Sequence, residues 1–120
     1  MYDHYCILLI IITILVLSGC TTEAPIKLSP EGSQLRIVNE KNIDCCCKNK
    51  GMVTASRDYE FSKVAIENES ALNDLRNKAA ESGGNAIKII EANSTGDPYN
   101  GGGITYVAGV YNCDFEKINN

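Results

Sequence analysis

The sequence has little of two side-chain types that carry much of protein chemistry. Its one histidine, His4, stands close to the amino terminus, so the rest of the chain lacks the side chain most used for acid–base catalysis near neutral pH and for metal binding. The 11 basic residues form no cluster and are outnumbered by 15 acidic ones. This balance argues against nucleic-acid binding, because Lys and Arg on phosphates supply most of that affinity. It equally argues against attachment to anionic lipids through a polybasic patch.

Motifs for nucleotide and redox enzymes are also lacking. Gly101-Gly102-Gly103 is not followed by the Gly-Lys-Ser/Thr of a phosphate-binding loop, and it precedes a predicted strand rather than a helix. The cysteines include no C-x-x-C pair. We therefore predict that the protein is not an enzyme, has no catalytic residue, and holds no cofactor or metal. The sequence identifies no small-molecule substrate.

A run of largely apolar residues, 7–17, is closed by Leu17-Ser18-Gly19-Cys20. The run is shorter than the roughly 20 apolar residues that cross a bilayer, and small residues before a cysteine are typical of a bacterial lipoprotein signal. One feature is atypical, since residues 1–6 contain no Lys or Arg. We predict a signal peptide over 1–19, removed on export, and a diacylglycerol on the Cys20 thiol. A plain secretory signal or a membrane anchor is the alternative.

Residues 20–34 predict a lipid-anchored flexible tether. They contain Pro25, Pro30 and Gly32 and show no apolar period, and a flexible segment of this length spans on the order of 20 Å. Thr21 is not the Asp that commonly retains such lipoproteins in the inner membrane. We therefore expect the protein in the outer membrane of a Gram-negative cell, with its domain facing the periplasm.

The remaining residues, 35–120, predict a single small α+β domain. Apolar and β-branched runs indicate four strands, and a change to helical periodicity between the second and third strands indicates one helix. The expected order is β-β-α-β-β, with the helix packed on a mostly antiparallel four-stranded sheet. The predicted strands are 35–38, 52–56, 86–92 and 104–113, the predicted helix is 67–82, and 93–103 is a predicted loop.

The predicted helix is amphipathic. Leu72, Leu75 and Ala79 recur at helical spacing and are expected to pack against the sheet. Asn68 or Ser70 is the expected amino-terminal cap, and the Gly83-Gly84 pair is expected to end the helix. The expected neighbours in the sheet are Ile87, Ile89, Val107 and Tyr106 or Tyr111.

Four cysteines besides Cys20 fall in the predicted domain: Cys45, Cys46, Cys47 and Cys113. In an exported protein they are expected to oxidise, and a long-range disulfide from the triplet to Cys113 would contribute about 4 kcal/mol. In an extended segment Cys45 and Cys47 point to one side and Cys46 to the other, so one partner cannot serve all three. The two left over could stay free or form a bridge between neighbours.

Residues 71–87 resemble the "L-R-N-x-A-A-x-x-G-A-N" helix-to-strand signature of a family of small Gram-negative lipoproteins of unknown function, related to the Rcs envelope-stress sensor RcsF. Cys47, its spacing to Gly51, and Tyr111-Asn112-Cys113 resemble the segments that flank this signature. The resemblance implies the same β-β-α-β-β domain, RcsF-like over 35–120, and a Cys47–Cys113 disulfide, with Cys45 or Cys46 as alternative partners. It carries over no catalytic residue. RcsF has two disulfides and a long linker, whereas this chain has a short predicted tether.

These observations predict a non-enzymatic outer-membrane lipoprotein, a binding or structural module of the cell envelope linked to envelope-stress sensing. Its expected partners are the membrane, through the lipid on Cys20, and an envelope protein. The alternative is a periplasmic protein that uses Cys45, Cys46 and Cys47 for thiol redox chemistry or for handling a soft metal, which thiolate ligands favour.

Overall fold

The computed structural model describes residues 24–60, 63–97 and 101–120. The predictions for the signal peptide over 1–19 and for lipid attachment at Cys20 lie outside these residues. Within the described ranges, no helix has the length and apolar character needed to cross a membrane. The elements are α1 (Pro30–Ser33), β1 (Arg36–Ile37), α2 (Glu40–Cys46), β2 (Cys47–Asp58), α3 (Val64–Glu81), β3 (Ala86–Asp97), β4 (Gly101–Cys113) and α4 (Phe115–Ile118).

The four strands form one sheet in the order β1-β3-β4-β2. The long strands β2, β4 and β3 pair antiparallel, and the short strand β1 pairs parallel with the start of β3. Helix α3 packs on one face of the sheet. The predicted α+β class and the order β-β-α-β-β are therefore confirmed, with three short helices added to them.

Strands β2, β3 and β4 are longer than their apolar runs predict. β2 begins at Cys47 rather than at Met52, and it contains a bulge between Asn49 and Gly51. Gly51 has φ +113° there, a conformation that glycine adopts without steric cost. The added residues are polar because β2 is an edge strand, whose lysines protect it from pairing with other chains.

The predicted loop over 93–103 is wrong for most of its length. β3 continues to Asp97 and β4 already begins at Gly101. Gly96 lies opposite Gly102, and a Cβ on Gly96 would meet the Gly101 carbonyl oxygen. This end of the hairpin buries no apolar side chain, so hydrophobic alternation could not reveal it.

Helix α3 buries the predicted face. Leu75 and Ala79 are fully buried and Leu72 packs at the edge of the same cluster. The helix begins at Val64, earlier than predicted, and its N-cap residue Lys63 makes no side-chain capping bond. The other buried members of this core are Leu35, Ala55, Ile87, Ala108 and Val110, with Ile89 and Tyr106 partly buried against it.

The predicted caps of this helix make other contacts. Asn68 Oδ1 accepts a hydrogen bond from the Tyr59 hydroxyl at 3.1 Å, and Ser70 Oγ accepts one from the Ile26 N–H at 3.1 Å. Neither residue lies at the start of α3, so the prediction of Asn68 or Ser70 as N-cap is wrong. The predicted end is confirmed, since Gly83 follows the helix with φ +82°.

The described part of the predicted tether, residues 24–34, lies along α3. Ile26 is held on both backbone groups, because its N–H donates to Ser70 Oγ and its carbonyl oxygen accepts from Asn73 Nδ2 at 3.0 Å. These partners are polar side chains of a helix more than forty residues later in the chain. The prediction of a flexible tether is wrong for these residues, since apolar periodicity carries no information about such bonds.

Asn77 holds the next part of this segment with both ends of its amide. Its Nδ2 donates to the Lys27 carbonyl oxygen at 2.9 Å, and its Oδ1 accepts from the Ser29 N–H at 2.8 Å. Ser29 then caps α1 through its side chain. Gly32 in α1 is buried so close to Asn77 that a Cβ would lie 2.4 Å from Asn77 Oδ1.

Candidate functional site

The chemistry-bearing residues of the domain meet at one end of the sheet. Cys47 begins β2 and Cys113 ends β4, and the antiparallel register places them directly opposite each other. Their sulfur atoms form a disulfide that joins positions 66 residues apart in the sequence, with the Cα atoms 4.0 Å apart. This is the pairing that the family resemblance implied, so the alternatives Cys45 and Cys46 are not the partners of Cys113.

On the side of Cys113 that faces β3, Asn85 takes the place of a strand partner. The pairing of β3 with β4 begins at Ala86, opposite Tyr111, so the strand ladder ends before Cys113. The Asn85 amide accepts from the Cys113 N–H at 2.7 Å and donates to its carbonyl oxygen at 2.9 Å. Because both backbone groups of Cys113 are used on this side, it faces Cys47 as a non-hydrogen-bonded pair, in which Cα atoms approach more closely.

Cys45 and Cys46 are joined to each other by a disulfide between consecutive residues. Of the two outcomes that the sequence left open, free thiols or a bridge between neighbours, the structure has the bridge. Both residues belong to helix α2, so the side-chain directions of an extended segment do not apply to Cys45 and Cys46. The helix forms because Asn39 and Asn42 make a reciprocal capping box at its start.

The two disulfides contact a common atom, the carbonyl oxygen of Asn42. Cys45 Sγ lies 3.3 Å from this oxygen and Cys47 Sγ lies 3.4 Å from it. Since a disulfide sulfur has no hydrogen to donate, these are close sulfur–oxygen contacts. They bring one sulfur of each disulfide to the same oxygen atom. We call these four cysteines, Cys45, Cys46, Cys47 and Cys113, the two-disulfide site.

The two-disulfide site rests on a second, small hydrophobic core. Helix α4 is capped by Asp114, whose carboxylate accepts from the backbone N–H groups of Glu116 and Lys117. Asp114 N–H donates to the Cys46 carbonyl oxygen at 2.9 Å and so connects α4 to α2. The members of this core are Val38, Ala86 and Cys113, with Ile43, Cys47, Tyr111, Phe115 and Ile118 partly buried around them.

Two cation contacts hold this end of the molecule together. The Arg36 guanidinium lies 4.4 Å from the centre of the Phe115 ring, which ties β1 to α4 by a cation–π interaction. The Lys88 ammonium pairs with Glu40 in the first turn of α2. The hydrogen bond from Lys88, together with its positive charge, lowers the pKa of the Glu40 carboxyl below its usual value.

A cavity of about 760 Å³ opens beside the two disulfides. Its wall is mainly polar and carries both signs of charge, with Lys48 and Lys117 against Asp114 and Glu116. Such a surface suits a polar partner better than an apolar small molecule, whose pockets are mostly lined by hydrophobic side chains. The lining residues are Cys45, Cys46, Cys47, Lys48, Asn112, Cys113, Asp114, Phe115, Glu116 and Lys117.

The bonded state of the four cysteines limits what the site can do. A disulfide offers no thiolate, so a soft metal could be held here only after reduction. Among the residues that the structure describes, no group of three or more His, Cys, Asp or Glu side chains is placed to hold a metal ion. The chemistry available to the site as it stands is thiol–disulfide exchange with an incoming thiol.

Sequence reasoning missed the two asparagines that shape the site. Neither Asn85 nor Asn42 lies in an apolar or cysteine pattern of the sequence. A signal for Asn85 was available, because it stands at the asparagine of the helix-to-strand signature and immediately precedes β3. Asn42 follows Asn39 by three residues, which is the spacing of a capping box, although Asn replaces the usual Glu or Gln.

The arrangement defines a class: a small α+β domain with one helix on a four-stranded sheet and a disulfide joining its edge strand to its central strand. Residues 26–113 match the model of a family described as a domain of unknown function, DUF4156. The chain belongs to this family. The relation to RcsF stays a prediction.

Two further comparisons complete this description. The solution structure of the secreted protein STM0082 of Salmonella typhimurium LT2 is similar to this chain, with 21% sequence identity and a TM-score of 0.47. The alignment covers 78% of this chain and 79% of that protein. No curated protein matches the sequence.

Proposed function

We propose that this protein is a non-enzymatic lipoprotein of the outer membrane, anchored by a lipid on Cys20, whose α+β domain is a binding or structural module of the cell envelope. The observation that carries the proposal is the sequence Leu17-Ser18-Gly19-Cys20 after an apolar run. The folded domain supports it, since residues held by hydrogen bonds begin only a few positions after this cysteine. We therefore interpret the chain as an export signal over residues 1–19 that is followed almost directly by a folded domain.

The disulfides give independent support for export. The cysteines of the domain form two disulfides, and such bonds form and persist in oxidising compartments such as the periplasm. Neither disulfide depends on the lipid, so this argument for export is independent of the sequence Leu17-Ser18-Gly19-Cys20. It favours a location outside the cytoplasm without choosing between the two membranes.

The two-disulfide site is the surface we assign to a protein partner. It combines a rigid frame, made by Cys47–Cys113 and the Asn85 amide, with an open cavity of mixed charge. Charged rims of this kind fix the orientation of a partner and speed its approach. An envelope protein that signals stress is one such partner, and this role is the part of the proposal that rests on the resemblance to RcsF.

Fractionation of cells that produce Cys20→Ala tests the anchor. We expect the wild-type protein in the outer-membrane fraction with an incorporated fatty-acid label, and Cys20→Ala without label and absent from the membrane. Cys6→Ala is the matched control, because it removes the other cysteine of the first twenty residues and is expected to change nothing. Retention of Cys20→Ala in the membrane would show that the apolar run itself is the anchor.

A second candidate function is thiol–disulfide exchange. It is favoured because one sulfur atom of each disulfide contacts the Asn42 carbonyl oxygen. A thiolate of a dithiol protein would attack Cys45 or Cys46, form a mixed disulfide and release the other cysteine as a thiolate. The second thiol of that protein would then break the mixed disulfide. The dithiol protein is oxidised and the Cys45–Cys46 pair is reduced, with two electrons and two protons transferred.

Thiol titration in defined glutathione buffers distinguishes this candidate. Redox activity requires that Cys45–Cys46 is reduced at a higher potential than Cys47–Cys113, and that Cys45→Ser/Cys46→Ser removes this first transition. Metal analysis of the reduced protein covers the soft-metal alternative, for which bound copper or zinc in stoichiometric amount is the required result. If both disulfides are reduced in a single transition and the reduced protein binds no metal, the redox and soft-metal functions are excluded. The function as a binding module is then the one retained.

A further inference from the structure

The hydrogen bonds of residues 24–29 fix which end of the domain is nearest to the lipid. The Ala24 carbonyl oxygen accepts a hydrogen bond from Arg57 Nη2 at 3.1 Å, and Arg57 pairs with Glu67 near the start of α3. The chain then follows α3 towards its carboxyl end, through the bonds to Ser70, Asn73 and Asn77. Ala24 therefore lies at the end of the domain where β2 finishes and α3 begins.

The chain before Ala24 is too short to let this end move far from the lipid. Cys20 precedes Ala24 by four residues, and four residues reach at most about 14 Å when fully extended. A flexible tether over residues 20–34, as the sequence predicts, would have allowed a distance of roughly 50 Å between the lipid and the domain. Because residues 24–29 are bound to α3, most of that reach is lost.

The two-disulfide site lies at the opposite end of the same strand. β2 runs from Cys47 to Asp58, so ten residues separate Cys47 from Arg57. At about 3.3 Å for each strand residue, this is roughly 30 Å. The strand joins the two ends as one rigid element, since β4 pairs with it along this length.

The end that carries Ala24 also has an apolar surface. Ile66 is 44% exposed, and it lines one groove together with Pro25, Ile26 and Leu28. The charged side chains of Lys27 and Glu69 and the polar side chains of Ser70 and Asn73 line the same groove. The neighbouring charges of Lys63 and Glu60 are paired with each other at 3.1 Å. Apolar side chains bordered by charged and polar ones suit the boundary between headgroups and acyl chains.

We propose that the domain stands on the membrane with the Ala24 end, including Ile66 and Pro25, against the lipid headgroups, and with the two-disulfide site held away from them. The partner is a lipid surface, and the fixed segment 24–29 is the device that orients the domain on it. This inference rests on the proposed lipid at Cys20. It places the surface that we assign to a protein partner where such a partner can reach it.

Energy transfer to the membrane surface tests this orientation. The full lipidated protein is reconstituted in vesicles of phosphatidylethanolamine and phosphatidylglycerol that carry an acceptor dye on their headgroups. A donor dye is coupled through an azide-bearing amino acid at Ile66 or at Lys48, which leaves every cysteine intact. Lys48 is exposed beside Cys47, and we expect its donor about 30 Å higher than the donor at Ile66.

Two variants show whether the bound segment causes the orientation. Inserting sixteen Gly and Ser residues between Thr22 and Glu23 leaves the bonds of residues 24–29 intact but lengthens the connection, and we expect loss of the height difference. Asn73→Ala/Asn77→Ala removes hydrogen bonds that hold the segment, and we expect a smaller difference than in the exposed control Asn119→Ala. Circular dichroism and thiol titration establish that each variant is folded.

Equal transfer from both positions in the lipidated wild-type protein would overturn the proposed orientation, because a domain lying flat or turning freely gives that result. An undiminished height difference after the insertion would also overturn it. Mass spectrometry of the same samples reports the lipid on Cys20. Its absence from the wild-type protein would overturn the proposed function instead, so the two failures are distinguishable.

Discussion

Arg57 Nε and Glu67 Oε2 form an ion pair at 2.8 Å between β2 and α3, with both side chains almost fully buried. The same guanidinium binds the Ala24 carbonyl oxygen, so one buried arginine joins the sheet, the helix and the segment that follows the proposed lipid anchor. A buried charge that loses its partner is strongly destabilising, whereas replacing both partners by apolar residues costs much less. This contrast makes the pair testable.

Removing one partner of this pair should destabilise the domain more than removing both. We expect Glu67→Leu to lower the free energy of unfolding by about 3–5 kcal/mol, because the Arg57 charge stays buried without its carboxylate. Arg57→Met/Glu67→Leu should recover a large part of that loss. Urea unfolding of the single and double variants measures both values, and strict additivity would show that the two charges do not interact.

The helix–sheet core predicts a clear contrast between two positions of α3. Leu75 is fully buried, so Leu75→Ala should lower the free energy of unfolding by roughly 2–5 kcal/mol. Lys78 is about half exposed and pairs with Asp74 at 2.9 Å, and Lys78→Ala should cost less than about 1 kcal/mol. Thermal and urea unfolding compare the two variants. Equal losses would contradict the packing of Leu75 against the sheet.

The two disulfides should differ sharply in what they contribute to stability. Cys113→Ala opens the bridge from β2 to β4 and should cost about 2–5 kcal/mol, since it opens a loop whose ends are 66 positions apart in the sequence. Cys45→Ala/Cys46→Ala removes a bridge between consecutive residues. Because that bridge closes almost no loop of chain, its loss should leave stability nearly unchanged. Unfolding under non-reducing conditions gives both numbers, and peptide mapping by mass spectrometry verifies the pairing. A dominant Cys45–Cys113 or Cys46–Cys113 peptide would contradict the assigned bridges.

Gly84 should resist substitution for a steric reason. A Cβ at this position would lie 2.3 Å from Val110 Cγ1 and 3.1 Å from the Tyr111 carbonyl oxygen. Gly84→Ala should therefore destabilise the domain by about 1–3 kcal/mol, as overpacked cores do. Glu81→Ala, at an exposed position of α3, is the control and should change stability little. Neutral behaviour of Gly84→Ala would show that the helix end can shift away from β4.

Asn77 should control the dynamics of residues 24–29. Asn77→Ala removes the bonds to Lys27 and Ser29, so hydrogen exchange of these backbone amides should accelerate while the amides of β4 stay protected. Asn112→Ala, on an exposed position of β4, should leave both regions unchanged. Hydrogen exchange followed by mass spectrometry reads out each region. Unchanged exchange at Ser29 would contradict the role of Asn77.

The sequence by itself determined the features that depend on local periodicity and local chemistry. Leu72, Leu75 and Ala79 recur at helical spacing, and the structure buries Leu75 and Ala79 completely against the sheet. The β-branched runs placed the central strands, and the number of cysteines in a chain with a predicted export signal indicated disulfides. The sequence Leu17-Ser18-Gly19-Cys20, on which the proposed lipid anchor rests, is likewise a local pattern.

Tertiary structure alone decided which distant polar groups meet. Asn73 and Asn77 bind the backbone of residues that looked like a tether, and Asn85 continues the ladder beside Cys113. Arg57 and Glu67 are of residue types that usually lie at the protein surface. Only the packing of α3 on β2 buries them together. Hydrophobic residues recur at regular spacing along a helix or strand, so these elements can be predicted from the sequence. A hydrogen bond between positions forty residues apart leaves no such period, because its energy depends on an orientation that exists only in the folded domain.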